Sequence, residues 1–267
     1  MDKAIGIFDS GIGGLTVVKE VVAALPDEDI IYLGDTARVP YGIRSPETVT
    51  RYSFENTRFL LAQEIKMLVV ACNTASAVSL AAVQREFPLP VVGVLEPGAR
   101  AAAAVTRTRR VGVIGTEATI GSGAYEKAIK AINPEIQVSS RACPLFVPLV
   151  EEGWTHGEVA MLVAGRYLAP LRERNIDTLV LGCTHYPLLK KVIGTIMGPT
   201  VTLIDSATET AKEVSGLLAE RGAKKQGRGA ADRKFFVTDT PARFEKAGKL
   251  FFGDSRVTAE QVRVGGV

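Results

Sequence analysis

Ile5-Gly6-Ile7-Phe8-Asp9-Ser10-Gly11 returns as Val111-Gly112-Val113-Ile114-Gly115-Thr116, offset by 106, and Val69-Val70-Ala71-Cys72-Asn73-Thr74 returns as Val180-Leu181-Gly182-Cys183-Thr184-His185, offset by 111. Each stretch is a short apolar run that stops at a polar or glycine turn. Such runs suit strands covered on both faces, as in parallel sheets. Ile30–Leu33, Met67–Ala71, Pro90–Val94, Arg110–Ile114, Thr178–Leu181 and Val201–Ile204 read the same way. Helical periodicity fills the gaps: Leu15, Val18, Val22 and Leu25 share a face, and Pro46–Glu64 opens with Ser45 as cap and Pro46 at the first position. The pattern predicts an α/β protein of two similar domains, each a mostly parallel sheet flanked by helices. The expected division is a discontinuous first domain, 1–96 plus 207–267, and a second domain, 97–206. Helix, strand and helix resume after Thr208 and return to complete the first.

The chain has 267 residues, 46% hydrophobic and 23% charged. A chain of this size buries roughly 70 to 75% of its unfolded surface, which excludes a stapled miniprotein or a disordered chain. The formal net charge of +3 is too weak for a nucleic-acid groove or an anionic membrane surface. A small-molecule partner is expected instead. The N-terminal stretch lacks the apolar core of a signal peptide and no charge-free transmembrane run follows, so a cytoplasmic location is expected. Arg221–Lys234, rich in glycine and basic residues, reads as a solvated loop.

Three cysteines do not make a disulfide framework. Cys72 and Cys183 each follow a strand and precede a predicted helix, at the carboxyl ends where open α/β sheets bind ligands. A helix N-terminus lowers a thiol pKa from about 8.5 and raises its thiolate fraction. Cys143, between Ala142 and Pro144, reads as apolar filler. Without a Cys-x-x-Cys pair, and with two histidines in all, a zinc site is not expected. A Cys-His nucleophilic dyad with His185 leaves Cys72 without a role. The run Asp9-Ser10-Gly11-Ile12-Gly13-Gly14 fails the dinucleotide spacing, because position 16 is Thr16, and no Gly-Lys-Ser/Thr occurs. Its amides are expected to suit a small carboxylate. Nothing marks a lysine for pyridoxal phosphate, and no cofactor is expected.

Two thiols in related half-sites, with Asp9 beside one and His185 and Glu151 as candidate partners of the other, suit removal of a proton from one face of a carbon and its return on the opposite face. Such chemistry demands a base within about 3 to 3.5 Å and positioned donors for the developing charge. A cleft between two domains provides that setting.

Ile7-Phe8-Asp9-Ser10-Gly11-Ile12-Gly13-Gly14, Gly34-Asp35-Thr36-Ala37-Arg38-Val39-Pro40-Tyr41-Gly42, Ala71-Cys72-Asn73-Thr74-Ala75 and Gly182-Cys183-Thr184-His185-Tyr186-Pro187, with Cys143–Glu151 between the last two, resemble the glutamate racemases of bacterial cell-wall synthesis. The resemblance covers nearly the whole chain. It implies two pseudo-two-fold-related domains with the active site between them, and cofactor-independent interconversion of L- and D-glutamate. It implies Cys72 and Cys183 as the two bases, Asp9 assisting Cys72, and His185, oriented by Glu151, assisting Cys183. The ligand-binding positions it implies are Asp9, Ser10, Tyr41, Gly42, Asn73, Thr74, Thr184 and His185, and the assembly a homodimer. A related racemase of aspartate or a hydantoin, and a non-catalytic amino-acid-binding protein, are the alternative readings.

Overall fold

Among the described residues two all-parallel sheets share one four-strand order. The computed structural model describes residues 3–226, 230–252 and 257–265. Its strands are β1 (Ile5–Asp9), β2 (Ile30–Gly34), β3 (Met67–Val70), β4 (Val91–Gly93), β5 (Arg110–Gly115), β6 (Gln137–Ala142), β7 (Thr178–Gly182), β8 (Thr202–Asp205), β9 (Arg233–Val237) and β10 (Glu260–Gln261). The first sheet runs β10-β9-β2-β1-β3-β4 and the second β6-β5-β7-β8. The path β2-β1-β3-β4 is therefore repeated as β6-β5-β7-β8, which gives the two sequence offsets their structural meaning. All the pairings are parallel.

The helices are α1 (Leu15–Ala24), α2 (Pro46–Ala62), α3 (Asn73–Glu86), α4 (Leu95–Val105), α5 (Glu117–Gly121), α6 (Ala124–Ile132), α7 (Phe146–Glu151), α8 (Gly157–Glu173), α9 (Lys190–Met197), α10 (Ser206–Glu220) and α11 (Pro241–Phe252). Alternate residues of β1 serve two layers. Ile5 and Ile7 pack with Leu15, Val18, Ala211 and Phe244, while Phe8 packs with Val49, Leu60 and Leu80. In the second sheet Val111 and Val113 join Ala99 and Ile129, and Ile114 joins Phe146 and Leu168. Burial on both faces is why these strands read as unbroken apolar runs. Ser45 caps α2 as expected, accepting a hydrogen bond from the Thr48 amide. α4 and α10, which carry the chain toward and away from the second sheet, lie against each other and share an Arg100–Glu213 ion pair of 2.7 Å.

β6 and the stretch leading into β9 depart from expectation, and the short β10 was not expected. β6 went unpredicted because Gln137-Val138-Ser139-Ser140-Arg141-Ala142 is an edge strand, exposed or half-buried throughout, and lacks an apolar run. The expected loop at 221–234 ends earlier, since Arg233 and Lys234 open β9 with exposed side chains. Residues 227–229 of that stretch lie outside the described residues. Its beginning is anchored: the Lys225 amide donates to Glu28 Oε1 and its ammonium lies 2.8 Å from Asp29 Oδ1. Among the described residues no helix is long and apolar enough to cross a membrane.

Candidate active site

In both halves a crevice opens where the path leaves β1 for β3, and β5 for β7. The chain turns to opposite sides there, which leaves the carboxyl ends of neighbouring central strands free for a ligand. Ser10 follows β1, Cys72 to Thr74 follow β3, Thr116 follows β5, and Cys183 to His185 follow β7. All four strand ends border one cavity of about 150 Å³.

Of the expected residues, Ser10, Tyr41, Gly42, Cys72, Asn73, Thr74, Cys183, Thr184 and His185 line this cavity. Asp9 and Glu151 do not; each stands behind a lining residue. Asp9 is fully buried at the end of β1. Glu151 ends α7 and faces the His185 ring. Tyr41 is buried with its hydroxyl turned away onto Asp35 and Asn56.

Sequence reasoning missed Thr116, together with Val39, Pro40, Pro144, Val147 and Pro148 in the walls. Thr116 carried a signal: it is the residue to which the offset of 106 moves Ser10. Its hydroxyl lies 2.9 Å from those of Thr74 and Thr119, and the Thr74 and Thr119 hydroxyls are 3.1 Å apart. Asn73 is fixed across the same divide, accepting from the Tyr125 hydroxyl at 2.6 Å and donating to Ser206 at 3.5 Å.

The glycine run has a steric purpose that spacing did not reveal. A Cβ on Gly13 would stand 2.3 Å from Thr184 Oγ1 and 2.5 Å from His185 Nδ1. Thr16 adds a hydrogen bond of 3.0 Å to the Thr184 carbonyl. The run from the first sheet thus presses against the strand end of the second. Of Asp9–Gly14 only Ser10 borders the thiol cavity, so the expected carboxylate cradle of loop amides is not what this run forms there.

The two thiols sit in unlike surroundings. Cys72 caps α3, accepting from the Ala75 amide at 3.5 Å, and donates to Ser10 Oγ at 3.6 Å. The helix N-terminus was expected to lower its pKa. Burial and the nearby Asp9 carboxylate instead push it up to about 12, because burying a charge outweighs two weak hydrogen bonds. Asp9 accepts from the Gly11 amide at 3.0 Å through Oδ2, while Oδ1 has no partner. Burial raises its pKa, opposed by the charge of His185 and by the amides of Gly14, Gly11 and Ser10.

Cys183 does not precede an α-helix directly. A 3₁₀ turn, Tyr186–Leu189, intervenes before α9. Its neighbour is a ring instead: Sγ lies 3.8 Å from His185 Nδ1. The far nitrogen, Nε2, lies 3.3 Å from Glu151 Oε1, close enough for charge pairing but outside hydrogen-bond geometry. Burial works against charging the His185 ring, yet Cys183 and Glu151 outweigh it and raise the pKa to about 10. Glu151 is lowered in turn, chiefly by His185 against the cost of burial, with Arg243 at 3.4 Å contributing. Cys143 lies fully buried among Phe146 and Leu181, off the cavity, and burial pushes it up to about 12. Among the described residues no group of three or more His, Cys, Asp or Glu is placed to hold a metal ion.

The chain, a duplicated parallel α/β fold whose halves meet at a thiol-lined cavity, belongs to the Asp/Glu/hydantoin racemase family, which residues 5–214 match. Several relatives that match over nearly the whole chain are glutamate racemases. The glutamate racemase of Geobacter metallireducens is 63% identical over 251 residues, covering 94% of this chain and 93% of that protein. The crystal structure of a glutamate racemase isoform from Bacillus anthracis matches with a TM-score of 0.93 and 43% identity, over 98% of this chain and 97% of that one. The Francisella tularensis glutamate racemase, solved in complex with D-glutamate, matches with a TM-score of 0.92 and 41% identity, over 98% of each.

Proposed function

We infer that this chain interconverts L- and D-glutamate by exchanging the proton on Cα, the activity that supplies D-glutamate for peptidoglycan. One observation carries the reading: Cys72 and Cys183, at equivalent ends of β3 and β7, border a single cavity. In the proposed reaction one thiolate takes the α-proton from one face and the opposite thiol delivers a proton to the other. The roles exchange with substrate handedness. The high proton affinity of Cys72 makes it a thiol at neutral pH, ready to donate. Asp9 assists Cys72, and the His185–Glu151 pair assists Cys183. Ser10, Tyr41, Gly42, Asn73, Thr74 and Thr184 hold the substrate, with His185 contributing at the second thiol. Fixed donors of this kind favour the developing carbanion without reorganisation during the reaction. Both proton carriers are side chains of the chain itself, so the proposed reaction draws on no cofactor.

The proposed domains are 1–96 plus 207–267 and 97–206, with the cavity between them. The proposed working form is a cytoplasmic homodimer, to be tested by sedimentation. In heavy water, either glutamate enantiomer should lose optical rotation and gain deuterium at Cα with no cofactor added. Failure with both enantiomers would refute the assignment. Preference for aspartate in direct competition would move it to another branch of the family.

A further inference from the structure

One wall of the cavity, Val39–Ile43, is held from behind by a buried polar cluster that takes no part in the proposed proton transfers. Gly42 stands so close to Thr116 of the second half that an added Cβ would lie 2.7 Å from the Thr116 Cβ. Small displacements of this wall therefore alter the space between the halves. The Tyr41 side chain cannot secure it from the cavity side, because its hydroxyl donates to Asp35 and accepts from Asn56 Nδ2 at 3.1 Å.

Arg38 is the hub of this cluster and is 6% exposed. Its Nε meets both Asp35 oxygens at 2.9 and 2.8 Å, Nη1 meets Glu55, and Nη2 donates to Asn56 Oδ1 at 3.0 Å. The guanidinium also lies 4.2 Å from the ring centroid of Tyr52, which packs against Tyr41. Thr238, just past β9, completes the set by donating to Asp35 at 3.0 Å and accepting from the Ala37 amide at 2.9 Å. On the outer side Gly265, at φ +72°, sits over Glu55; a Cβ there would be 2.5 Å from Oε2. The C-terminal segment thus presses on the carboxylate that holds Arg38. Only a planar fork of donors engages three side chains in fixed directions, and a lysine in its place supplies a single point charge.

We propose that Arg38 is a positioning residue for glutamate: it fixes the Tyr41–Gly42 wall against Thr116 and, through Glu55, ties that wall to the C-terminal segment at Gly265. The inference rests on the racemase reading and adds a residue to it. In the proposed reaction the wall holds substrate and carries no proton, so loosening it weakens binding of ground state and transition state alike, which raises KM and spares kcat.

The test is steady-state kinetics with both enantiomers on the wild type, Arg38→Lys, Glu55→Gln and Gly265→Ala, each first shown to be folded by circular dichroism. Arg38→Lys should raise KM about tenfold with kcat within about twofold of wild type, as expected for misplaced binding groups. Glu55→Gln and Gly265→Ala should raise KM in the same direction by less. A folded Arg38→Lys with unchanged KM, or with a loss confined to kcat, overturns the inference. Should Arg38→Lys fail to fold, Glu55→Gln decides it: a raised KM with kcat retained supports the role, and an unchanged KM overturns it. An inactive wild type sinks the racemase reading and this inference together, whereas an active wild type with unaltered KM in the variants sinks this inference alone.

Discussion

The half-site around Cys72 and the half-site around Cys183 occupy equivalent places in a repeated topology, yet they handle protons by different means. Cys72 caps a helix and has a fully buried carboxylate, Asp9, behind it; burial and that negative neighbour keep the proton on sulfur. Cys183 precedes a 3₁₀ turn and faces an imidazole whose charge is favoured by a carboxylate on its other side. Duplication of a fold thus conserves where a side chain stands without conserving what surrounds it. The first follows from backbone topology, the second from the charges and burial supplied by other elements. For a reaction with mirror-related substrates, symmetry of position is what the chemistry needs.

The comparison is most severely tested by removing either sulfur. Cys72→Ser and Cys183→Ser should each lower kcat/KM for racemisation by about a thousandfold, the scale of a positioned acid or base. Retention of wild-type activity by either variant would break the two-base assignment. Next come the helpers: Asp9→Asn and His185→Asn should each cost about a hundredfold in kcat/KM.

Denaturation across a pH series separates these two variants further. His185 has its pKa raised from 6.5 to about 10, so the stability it contributes is full below pH 6.5 and disappears as pH rises through about 10. His185→Asn should therefore be less stable than wild type at neutral pH and approach it near pH 10. Asp9 is also raised, but from the carboxylate value of 3.8, and its burial works against the charged form above its folded pKa. Asp9→Asn should lose activity without losing stability at neutral pH. Equal destabilisation by both variants at pH 7 would erase the distinction between the half-sites. Glu151→Gln, one step removed from the sulfur, should cost about tenfold in activity. Cys143→Ala, buried away from the cavity, should leave racemisation unchanged and lower stability by about 1 kcal/mol, as measured by the denaturation midpoint.

Much of this molecule is written locally. The runs that became β1, β3, β5 and β7 were legible because both faces of a central parallel strand must be apolar, and their ends were legible because a polar residue or glycine stops each run. β6 was not, since Ser139, Ser140 and Arg141 at a sheet edge obey no such demand. Thr116 was passed over because a lone threonine after a strand looks like the helix cap that it also is. The purpose of Gly13 was hidden because its crowding comes from Thr184 and His185, far along the chain. The lowered thiol pKa expected of Cys72 failed for a related reason: the helix end is a local feature, but the burial that outweighs it is not.

The sequence by itself determined the periodic strands, the repeat and the polar residues at each strand end, because hydrophobic pattern and turn chemistry act over a few neighbouring residues. Only the tertiary structure decided that Cys72 and Cys183 share one cavity and that Asp9 and Glu151 stand behind it. It also decided that burial and the Asp9 carboxylate keep the proton on Cys72. Solvent exclusion and Coulomb interactions depend on distances in space, and those distances are set by the packing of elements tens to more than a hundred residues apart.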